Sequence, residues 1–572
     1  MTLKVLTIDE TRQAEAAADA AGYSYAAMMQ AAGRAVADRA LALIEDRPDA
    51  RVTVIVGSGN NGGDGLVACL LIAEARPDAQ VRFYLQTRRP EDDAVFAPVL
   101  AAGMFIAYQE DDRDGRALRH MVASADLVID ALYGIGVRLP IKGDGQKILR
   151  NTRQALNERA RARRPGRLNN PTQPGQIERA PRTYVLAVDC PSGVHCDSGA
   201  VDANALVADE TVTFIAAKPG LLTFPAAGHV GELYVASLEF PEDAEPQAVT
   251  QSPHTLLDND SVVDLLPPRP VDGHKNTFGR ALIVGGSANY IGAPALAGLA
   301  AYRSGAGLVT IAAPSNVIGG NAAALMEATW LYLPHDMGAI AADAVKTLIE
   351  DMAQYRALAV GPGMGLDPKT HDFLKALLTL KRTPHKRPIG FNPAARPADV
   401  DEESVSALPP LVIDADGLNL LAQIDDWPAL LPAGTILTPH PGEMARLCSL
   451  SADDYKALNP RALALEKAQA WNAVVVLKGA HTVIAAPDGR SATSPFKTTA
   501  LATAGTGDIL TGLITGLLAQ GLTAFDAAQV GVYLHGRAGV TAAAFYGRNE
   551  RSVTARDVLE ALPFALDEIE GA

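Results

Sequence analysis

The sequence predicts an α/β protein of two doubly wound domains, and three observations carry that prediction. At 572 residues the chain exceeds what one hydrophobic core organises, so two domains of about 250 to 300 residues each are expected. Short apolar segments of strand length alternate with Ala- and Leu-rich helical stretches in both halves, the pattern of parallel sheets covered by helices. Two glycine-rich loops, Gly57 to Gly65 and Leu501 to Asp508, each hold one aspartate and run into an apolar stretch that reads as helix. Each follows a strand-like segment and so can present backbone amides to a phosphate. Two such loops on one chain suggest two active sites serving one substrate class.

The elements read in order as follows. Thr11 to Leu43 is an amphipathic helix broken near Gly22. Val52 to Val56 is a strand, Gly65 to Ala75 a helix and Val81 to Leu85 a second strand, the opening of a doubly wound sheet. Further strands, Leu127 to Asp130 and Tyr184 to Asp189, end in aspartate at the sheet edge where α/β proteins bind ligands. Leu149 to Pro181, rich in Arg, Asn, Gln and Pro, reads as a solvated insertion, and Lys381 to Pro410 reads the same way. The domains are expected at residues 1–243 and 256–572, with a linker over 244–255 where acidic and proline residues gather.

The second half restarts the pattern with strands at Arg280 to Ser287 and Gly307 to Ile311, then Leu358 to Val360, Leu411 to Asp414, Thr435 to Thr438 and Val474 to Leu477. Ile509 to Gln520 reads as a helix behind the Gly505 to Asp508 loop. No short repeat is visible.

Composition excludes several classes. A net charge of −15 argues against binding to nucleic acid or an anionic membrane. No window reaches the length of an apolar membrane span, and the N-terminus lacks the apolar core of a signal peptide. Four cysteines, Cys69, Cys190, Cys196 and Cys448, are too few and scattered for a disulfide framework, and a reducing cytoplasm is expected.

In the first loop the glycines are expected to allow positive φ and close approach of a ligand, with amides aimed at an anion. Asp130 at its strand end, the Asn61 carbonyl and a Ser192 oxygen can form an all-oxygen cage for a hard cation, potassium or magnesium. Asp189 is a candidate acid/base, and Lys218 either assists it or is a surface lysine.

These motifs, in this order over about residues 1 to 240, resemble the N-terminal domain of the NAD(P)H-hydrate repair enzymes, a Rossmann-like NAD(P)HX epimerase. The resemblance implies that Asn60, Asn61, Gly62, Gly63 and Asp64 contact the hydrated nucleotide, as do Gly134, Ile135, Gly136, Val137, Arg138, Leu139 and Pro140. It also implies potassium on Asn61, Asp130 and Ser192, with Asp189 facing the reacting ring.

In the second half, Thr438 to Glu443, Lys478 to Thr482 and Gly505 to Asp508 resemble the ribokinase-like layout, in which a Gly-x-Gly-Asp loop supplies an anion hole and a base. His274-Lys275 through Phe278-Gly279, Gly292-Ala293-Pro294, Gly361 to Gly365 and Asp414 to Asn419 narrow the resemblance to the ADP-dependent NAD(P)H-hydrate dehydratases, from about Leu256 onward. By that resemblance Lys478, Gly479, Ala480, His481, Thr482, Gly505, Thr506 and Gly507 contact ADP, while Ala293, Gly363, His440 and Asp508 contact the hydrate. Asp508 is the expected catalytic base. ADP or ATP, magnesium and potassium are the implied cofactors, a homo-oligomer the implied assembly, and NADHX and NADPHX the implied substrates. Thr493 to Thr498 departs from the family's Asn/Gly-rich turn, Asp416 is either a magnesium ligand or a structural partner, and His535 is read as packed.

Two other readings remain at this point. One is a ribokinase-like small-molecule kinase with an appended regulatory domain, and the other a non-catalytic scaffold. Co-occurrence of the Asn60 to Gly65 loop with His440 and Asp508 favours a bifunctional repair enzyme over both.

Overall fold

The computed structural model describes residues 2–162, 182–241, 244–380, 408–547 and 549–571. The chain forms two compact units, Leu3–Ser252 and Pro253–Ala572.

In the first unit, strands β1 (Arg51–Val56), β2 (Gln80–Leu85), β3 (Phe105–Tyr108), β4 (Leu127–Ala131), β5 (Tyr184–Val188), β6 (Glu210–Phe214) and β7 (Glu232–Ala236) form one sheet, ordered β3-β2-β1-β4-β5-β6-β7. Every pairing is parallel. The strands read as continuous apolar runs because both faces are covered. Val52, Val54 and Val56 pack with the helices Ile8–Ala20, Tyr25–Leu43 and Asn60–Ala75, while Ile55, Tyr84 and Val128 pack on the other side with Arg116–Ser124 and Gly143–Ala162. This is a Rossmann-like three-layer domain. Its strand order reverses direction at β1 and β4, and the crevice there is where the loops after β1, β4 and β5 meet.

Two sequence expectations change here. The helix after β1 begins at Asn60, so Asn61 to Asp64 lie in its first turns and the true loop is only Gly57 to Gly59. None of these glycines has positive φ. They are needed for close approach instead: a Cβ on Gly57 would lie 1.9 Å from the Leu132 carbonyl oxygen, and one on Gly65 2.5 Å from the Ala131 Cβ. The second change concerns the polar stretch from Leu149. Its first part belongs to the helix Gly143–Ala162, whose buried Ile148, Leu149, Thr152, Ala155 and Arg159 follow helical spacing. Residues 163–181 and 381–407 of the two expected insertions lie outside the described residues.

The second unit holds β8 (His254–Leu256), β9 (Arg280–Val284), β10 (Leu308–Ala313), β11 (Thr329–Tyr332), β12 (His335–Asp336), β13 (Ala339–Ile340), β14 (Ala357–Val360), β15 (Leu411–Ile413), β16 (Ile436–Leu437), β17 (Val474–Leu477), β18 (Val483–Ala485) and β19 (Ser491–Thr493). Ten of them form a sheet ordered β11-β10-β9-β14-β15-β16-β17-β18-β19-β8, and β12 with β13 makes a separate hairpin. The sheet is parallel from β11 to β17 and turns antiparallel at β18 and β19.

Alternate residues of each central strand enter two cores. Ala281, Ile283, Val474 and Val476 face the helices Ala293–Arg303, Thr506–Ala519, Ala524–Phe545 and Ala555–Glu570. Leu282, Val284, Val475 and Leu477 face Pro368–Leu378, Asp416–Leu421 and Pro460–Trp471. This sandwich is the ribokinase-like domain. The helix Thr506–Ala519 is buried nearly throughout and lies alongside Ala293–Arg303, so closely that a Cβ on Gly512 would lie 2.0 Å from the Ala297 carbonyl oxygen. The segment before Gly505 is not a strand: a short 3₁₀ turn, Thr499–Leu501, leads into the loop. Among the described residues no helix is long and apolar enough to cross a membrane.

Candidate active sites

The first site gathers at the ends of β1, β4 and β5. Register places Ile55 beside Asp130 and Asp130 beside Ala187, so the loops that follow these strands share one edge. Asp130 is fully buried and its oxygens accept from the Ser192 amide at 2.7 Å and the Ser192 hydroxyl at 2.6 Å. Burial pushes its carboxyl up to about 6, against the opposing pull of those bonds. The Tyr133 amide donates to the Ser192 hydroxyl at 2.9 Å, which ties the loop after β4 to the loop after β5.

Asp189 follows β5 at a φ of 65°, a conformation that L-residues rarely adopt. Such strain gathers at functional sites. Its Oδ1 accepts from the Lys218 Nζ at 2.9 Å and the Thr213 hydroxyl at 3.1 Å, and its Oδ2 accepts from the Ile135 amide at 3.2 Å. Lys218 is fully buried, with Nζ also donating to the Thr213 hydroxyl and the Phe214 carbonyl. It is thus no surface lysine. A Cβ on Gly134 would lie 2.9 Å from the Asn61 Oδ1 and 3.1 Å from the Asp189 Oδ2, so Asn61, Gly134 and Asp189 meet at one point.

The Asn61 amide is buried, and neither its oxygen nor its nitrogen has a hydrogen-bond partner. This orphaned buried amide carbonyl, with the Asp130 and Ser192 oxygens from the same sheet edge, is a donor set that fits a hard cation. Asp64 is nearly buried, and burial, with Asp189 and Glu15 nearby, pushes its carboxyl well above the usual range. Glu15, from the helix Ile8–Ala20, is raised by burial and by Asp189. Sequence reading missed Glu15, because nothing local marks which face of an amphipathic helix meets a sheet edge.

The second site is a cavity of about 520 Å³ lined by Asp414, His440, Glu443, Lys478, Thr482 and the whole of Leu501 to Asp508, among others. Asp414, at the end of β15, has 1% exposure. Its Oδ1 accepts from the Lys478 Nζ at 2.7 Å and the Thr438 hydroxyl at 2.7 Å, and its Oδ2 from the Thr511 hydroxyl at 2.6 Å. Burial alone would raise its carboxyl, but the Lys478 ammonium and these hydroxyls hold it below the usual range. Burial opposes the charge on Lys478, yet Asp414 and Glu443 raise its ammonium above the ordinary value.

Asp508 sits in the first turn of Thr506–Ala519 without a side-chain partner of that kind. Burial first, then the Asp414 charge, pushes its carboxyl up to about 7, and Lys478 pulls the other way. Burial likewise takes Glu443 up to about 7. His440 caps the helix Pro441–Leu447: its Nδ1 accepts from the Gly442 amide at 3.0 Å, while its own amide donates to Glu443 at 2.8 Å. Burial and the nearby Lys478 lower its imidazole below the ordinary value. Gly505 carries a φ of 90° at the helix start, where only glycine turns without strain.

Most of the residues expected to contact the nucleotide line this cavity, including Lys478, Gly479, Ala480, Thr482, Gly505, Thr506 and Gly507. His481 does not: it is buried, with Nδ1 on the Ser494 carbonyl at 3.0 Å, and burial takes its imidazole down to about 4. Ser494, Phe496 and Thr498 do line it, although that stretch departs from the expected turn. His535 is buried and also forms part of the wall.

Ala293 and Gly363 lie outside the cavity lining but beside each other, since a Cβ on Gly363 would sit 3.0 Å from the Ala293 Cβ. Asp416 accepts from the Gly365 amide at 2.9 Å, which ties the loop after β14 to the helix Asp416–Leu421. Asp414 and Glu443 are the site residues to which sequence reading gave no part. The rule that marked Asp130 and Asp189, an aspartate at the C-terminal end of a buried strand, also marks Asp414.

Comparison with known proteins places both halves. The family described as YjeF-related protein N-terminus matches residues 25–220, and NAD(P)H-hydrate dehydratase matches residues 281–563. A bifunctional NAD(P)H-hydrate repair enzyme of Moorella thermoacetica is 35% identical over 530 residues, covering 91% of this chain and 88% of its own. The chain belongs to the bifunctional NAD(P)H-hydrate repair enzymes. The Thermofilum pendens member of this family is 32% identical over 569 residues, covering 99% of this chain and 96% of its own. Among solved structures, the ADP/ATP-dependent NAD(P)H-hydrate dehydratase of Bacillus subtilis, co-crystallised with ATP and Mg2+, is 29% identical, covers 55% of this chain and 98% of that one, and has a TM-score of 0.43. Membership in the repair family decides against the kinase and scaffold readings.

Proposed function

We propose that the first unit interconverts the R and S forms of hydrated NADH and NADPH, and that the second restores the reduced nucleotide from the S form at the expense of ADP. The observation that carries the second half is the contrast between two aspartates: buried Asp414 is paired to Lys478 at 2.7 Å, while half-buried Asp508, unpaired on a helix N-terminus, has its carboxyl raised to about 7. A base poised near neutral pH at the mouth of a phosphate-sized loop suits proton removal from an alcohol during phosphoryl transfer. We assign the two activities to residues 1–243 and 256–572, in the cytoplasm.

In the dehydratase, Lys478 and the amides of Gly505 to Gly507 hold the terminal phosphate of ADP, where magnesium brought in with the nucleotide would supply further positive charge. Among the described residues no cluster of three His, Cys, Asp or Glu side chains forms a metal cage of its own. Asp508 takes the proton from the C6 hydroxyl as its oxygen attacks the β-phosphorus, and AMP leaves. Phosphate then departs from C6, driven by the ring nitrogen's lone pair, and the iminium so formed loses a proton from C5 to the departing phosphate or to water, which restores NADH or NADPH. In the epimerase, Asn61, Asp130 and Ser192 would hold potassium, whose charge would draw the substrate's anionic groups to the site. Asp189 faces the ring, and Lys218 keeps its carboxylate oriented through the 2.9 Å contact.

The test follows recovery of reduced-nicotinamide absorbance from mixed R and S NADHX with ADP, ATP or neither, in wild type, Asp508→Ala and Asp189→Ala. Full recovery in wild type, none with Asp508→Ala, and a stall after the S portion with Asp189→Ala is the expected pattern. No nucleotide-dependent recovery in wild type overturns the proposal.

A further inference from the structure

Three loops of the second unit leave large apolar side chains in the open. Tyr290 is 55% exposed and Ile291 38%, on the connection from β9 to the helix Ala293–Arg303. Met337 is 91% exposed at the tip of the β12–β13 hairpin, and Leu366, in the loop after β14, is 57% exposed. The three loops touch. A Cβ on Gly338 would lie 2.8 Å from the Ala288 Cβ, one on Gly365 3.5 Å from the Ser287 Oγ, and one on Gly363 2.8 Å from the Tyr290 Cβ and 2.9 Å from the Tyr290 carbonyl oxygen. Tyr290, Met337 and Leu366 thus belong to one apolar rim rather than to scattered surface positions.

The backbone beneath this rim is fixed while the ring above it is free. The Tyr290 amide donates to the Ser287 carbonyl at 3.3 Å, and Gly363 fits under Tyr290 only because it has no side chain, at a φ of 63°. An aromatic ring held at its root with its faces open is arranged to receive a flat ligand.

The rim also lies on the catalytic side of the unit. The helix that begins at Ala293, three residues after Tyr290, runs against the helix that carries Asp508, with Leu296 2.8 Å from where a Gly505 Cβ would be. The Gly361 to Leu366 loop is held by Asp416, whose charge also reaches Asp508. The nucleotide cavity, in contrast, lies on the Lys478 and Thr482 side of the Asp508 loop and is not lined by any rim residue.

We propose that Tyr290 is a substrate-positioning residue that stacks on the hydrated nicotinamide ring and holds C6 over Asp508, with Met337 and Leu366 closing the apolar rim around it. This rests on the dehydratase reading and adds to it the group that holds the reacting ring. The planar N1–C2=C3 enamide of the hydrated ring presents a face that Ala293 and Gly363, having almost no side chain, do not cover. Loss of the Tyr290 ring is expected to cost roughly tenfold in affinity for the hydrate.

The test uses the full chain with S-NADHX and ADP as probes, and compares wild type with Tyr290→Phe and Tyr290→Ala. Expected are a roughly tenfold rise in KM for the hydrate in Tyr290→Ala, an unchanged KM for ADP, and near-complete rescue in Tyr290→Phe. Tyr290→Leu, which keeps apolar bulk without the ring, replaces the alanine variant should that variant lose ADP binding. A hydrate KM within about twofold of wild type in the alanine or leucine variant overturns the proposal. So does a variant whose sedimentation changes while its hydrate KM does not, since the rim is then a contact between copies of the chain. Wild-type turnover is the internal control: its absence refutes the repair reading itself, whereas turnover without a Tyr290 effect refutes only this assignment.

Discussion

Asp508→Asn is expected to abolish dehydration and, in the same variant, to stabilise the second unit at alkaline pH. The carboxyl of Asp508 rises from an ordinary 3.8 to about 7, chiefly through burial and then through Asp414. Between those two pH values the folded unit holds a proton that the unfolded chain has released. The stability this confers is complete below the unfolded value and is lost as pH climbs through the folded one. Three pH units at about 1.4 kcal/mol each amount to roughly 4 kcal/mol of lost stability at pH 8. Glu443, raised to about 7 in the same cluster, shares part of that effect, so ~2 to 4 kcal/mol is the range for Asp508.

An asparagine removes the charge and keeps the shape. Its expected gain is largest at pH 8 and falls to about a third of that at pH 5, because by then most of the titration window has been passed. The assay is thermal melting of the full chain at both pH values, following the transition that moves on adding ADP, since nucleotide shifts only the unit that binds it. A rise of roughly 5 °C at pH 8 with a smaller one at pH 5 is expected. Equal shifts at the two pH values, or destabilisation at pH 8, would refute the claim that Asp508 is a half-buried, unpaired base.

Other substitutions probe the remaining parts. Lys218→Met leaves Asp189 without its buried cation, so chemical denaturation of the first unit should show a loss of about 3 to 5 kcal/mol, and R-to-S interconversion should cease. Gly507→Ala meets nothing nearer than the Lys478 Nζ at 3.7 Å, so the melting temperature should hold while KM for ADP rises; Gly57→Ala, driven into the Leu132 carbonyl, should instead lower the first unit's melting temperature. Asn61→Ala removes the orphaned buried amide, and interconversion rates measured in potassium and in a tetramethylammonium salt should differ for wild type and coincide for the variant.

The strands were legible because parallel strands buried on both faces need uninterrupted apolar runs, as in Val52 to Val56 and Val474 to Leu477. The helix start at Asn60 was not. Asn and Gly are weak helix formers, and what makes Asn60 to Gly65 helical is packing on Ala131 and Met29, contacts from distant parts of the chain. The helix Gly143–Ala162 was hidden by its Arg and Asn content, although Ile148, Leu149 and Ala155 keep a helical stripe. Lys218 was undecidable locally, because its burial depends on Thr213 and Phe214 of a strand whose facing is fixed by its neighbours. Tyr290 gave no signal at all: an aromatic residue in a Gly/Ser/Asn loop acquires meaning only when Gly363 is found beneath it.

The two units solve one electrostatic problem in opposite ways. Each ends a central strand in an aspartate and places a lysine on it, the buried Lys218 at 2.9 Å from Asp189 and the half-buried Lys478 at 2.7 Å from Asp414. In the first unit the paired aspartate is the one that faces Gly134 and the loop after β4, so on the proposed function the lysine orients the reacting carboxylate itself. In the second the paired aspartate is a fixed anion behind the site, and its charge helps raise Asp508 toward neutrality. On the proposed function Lys478 has two tasks, compensating Asp414 through the 2.7 Å contact and meeting the terminal phosphate of ADP.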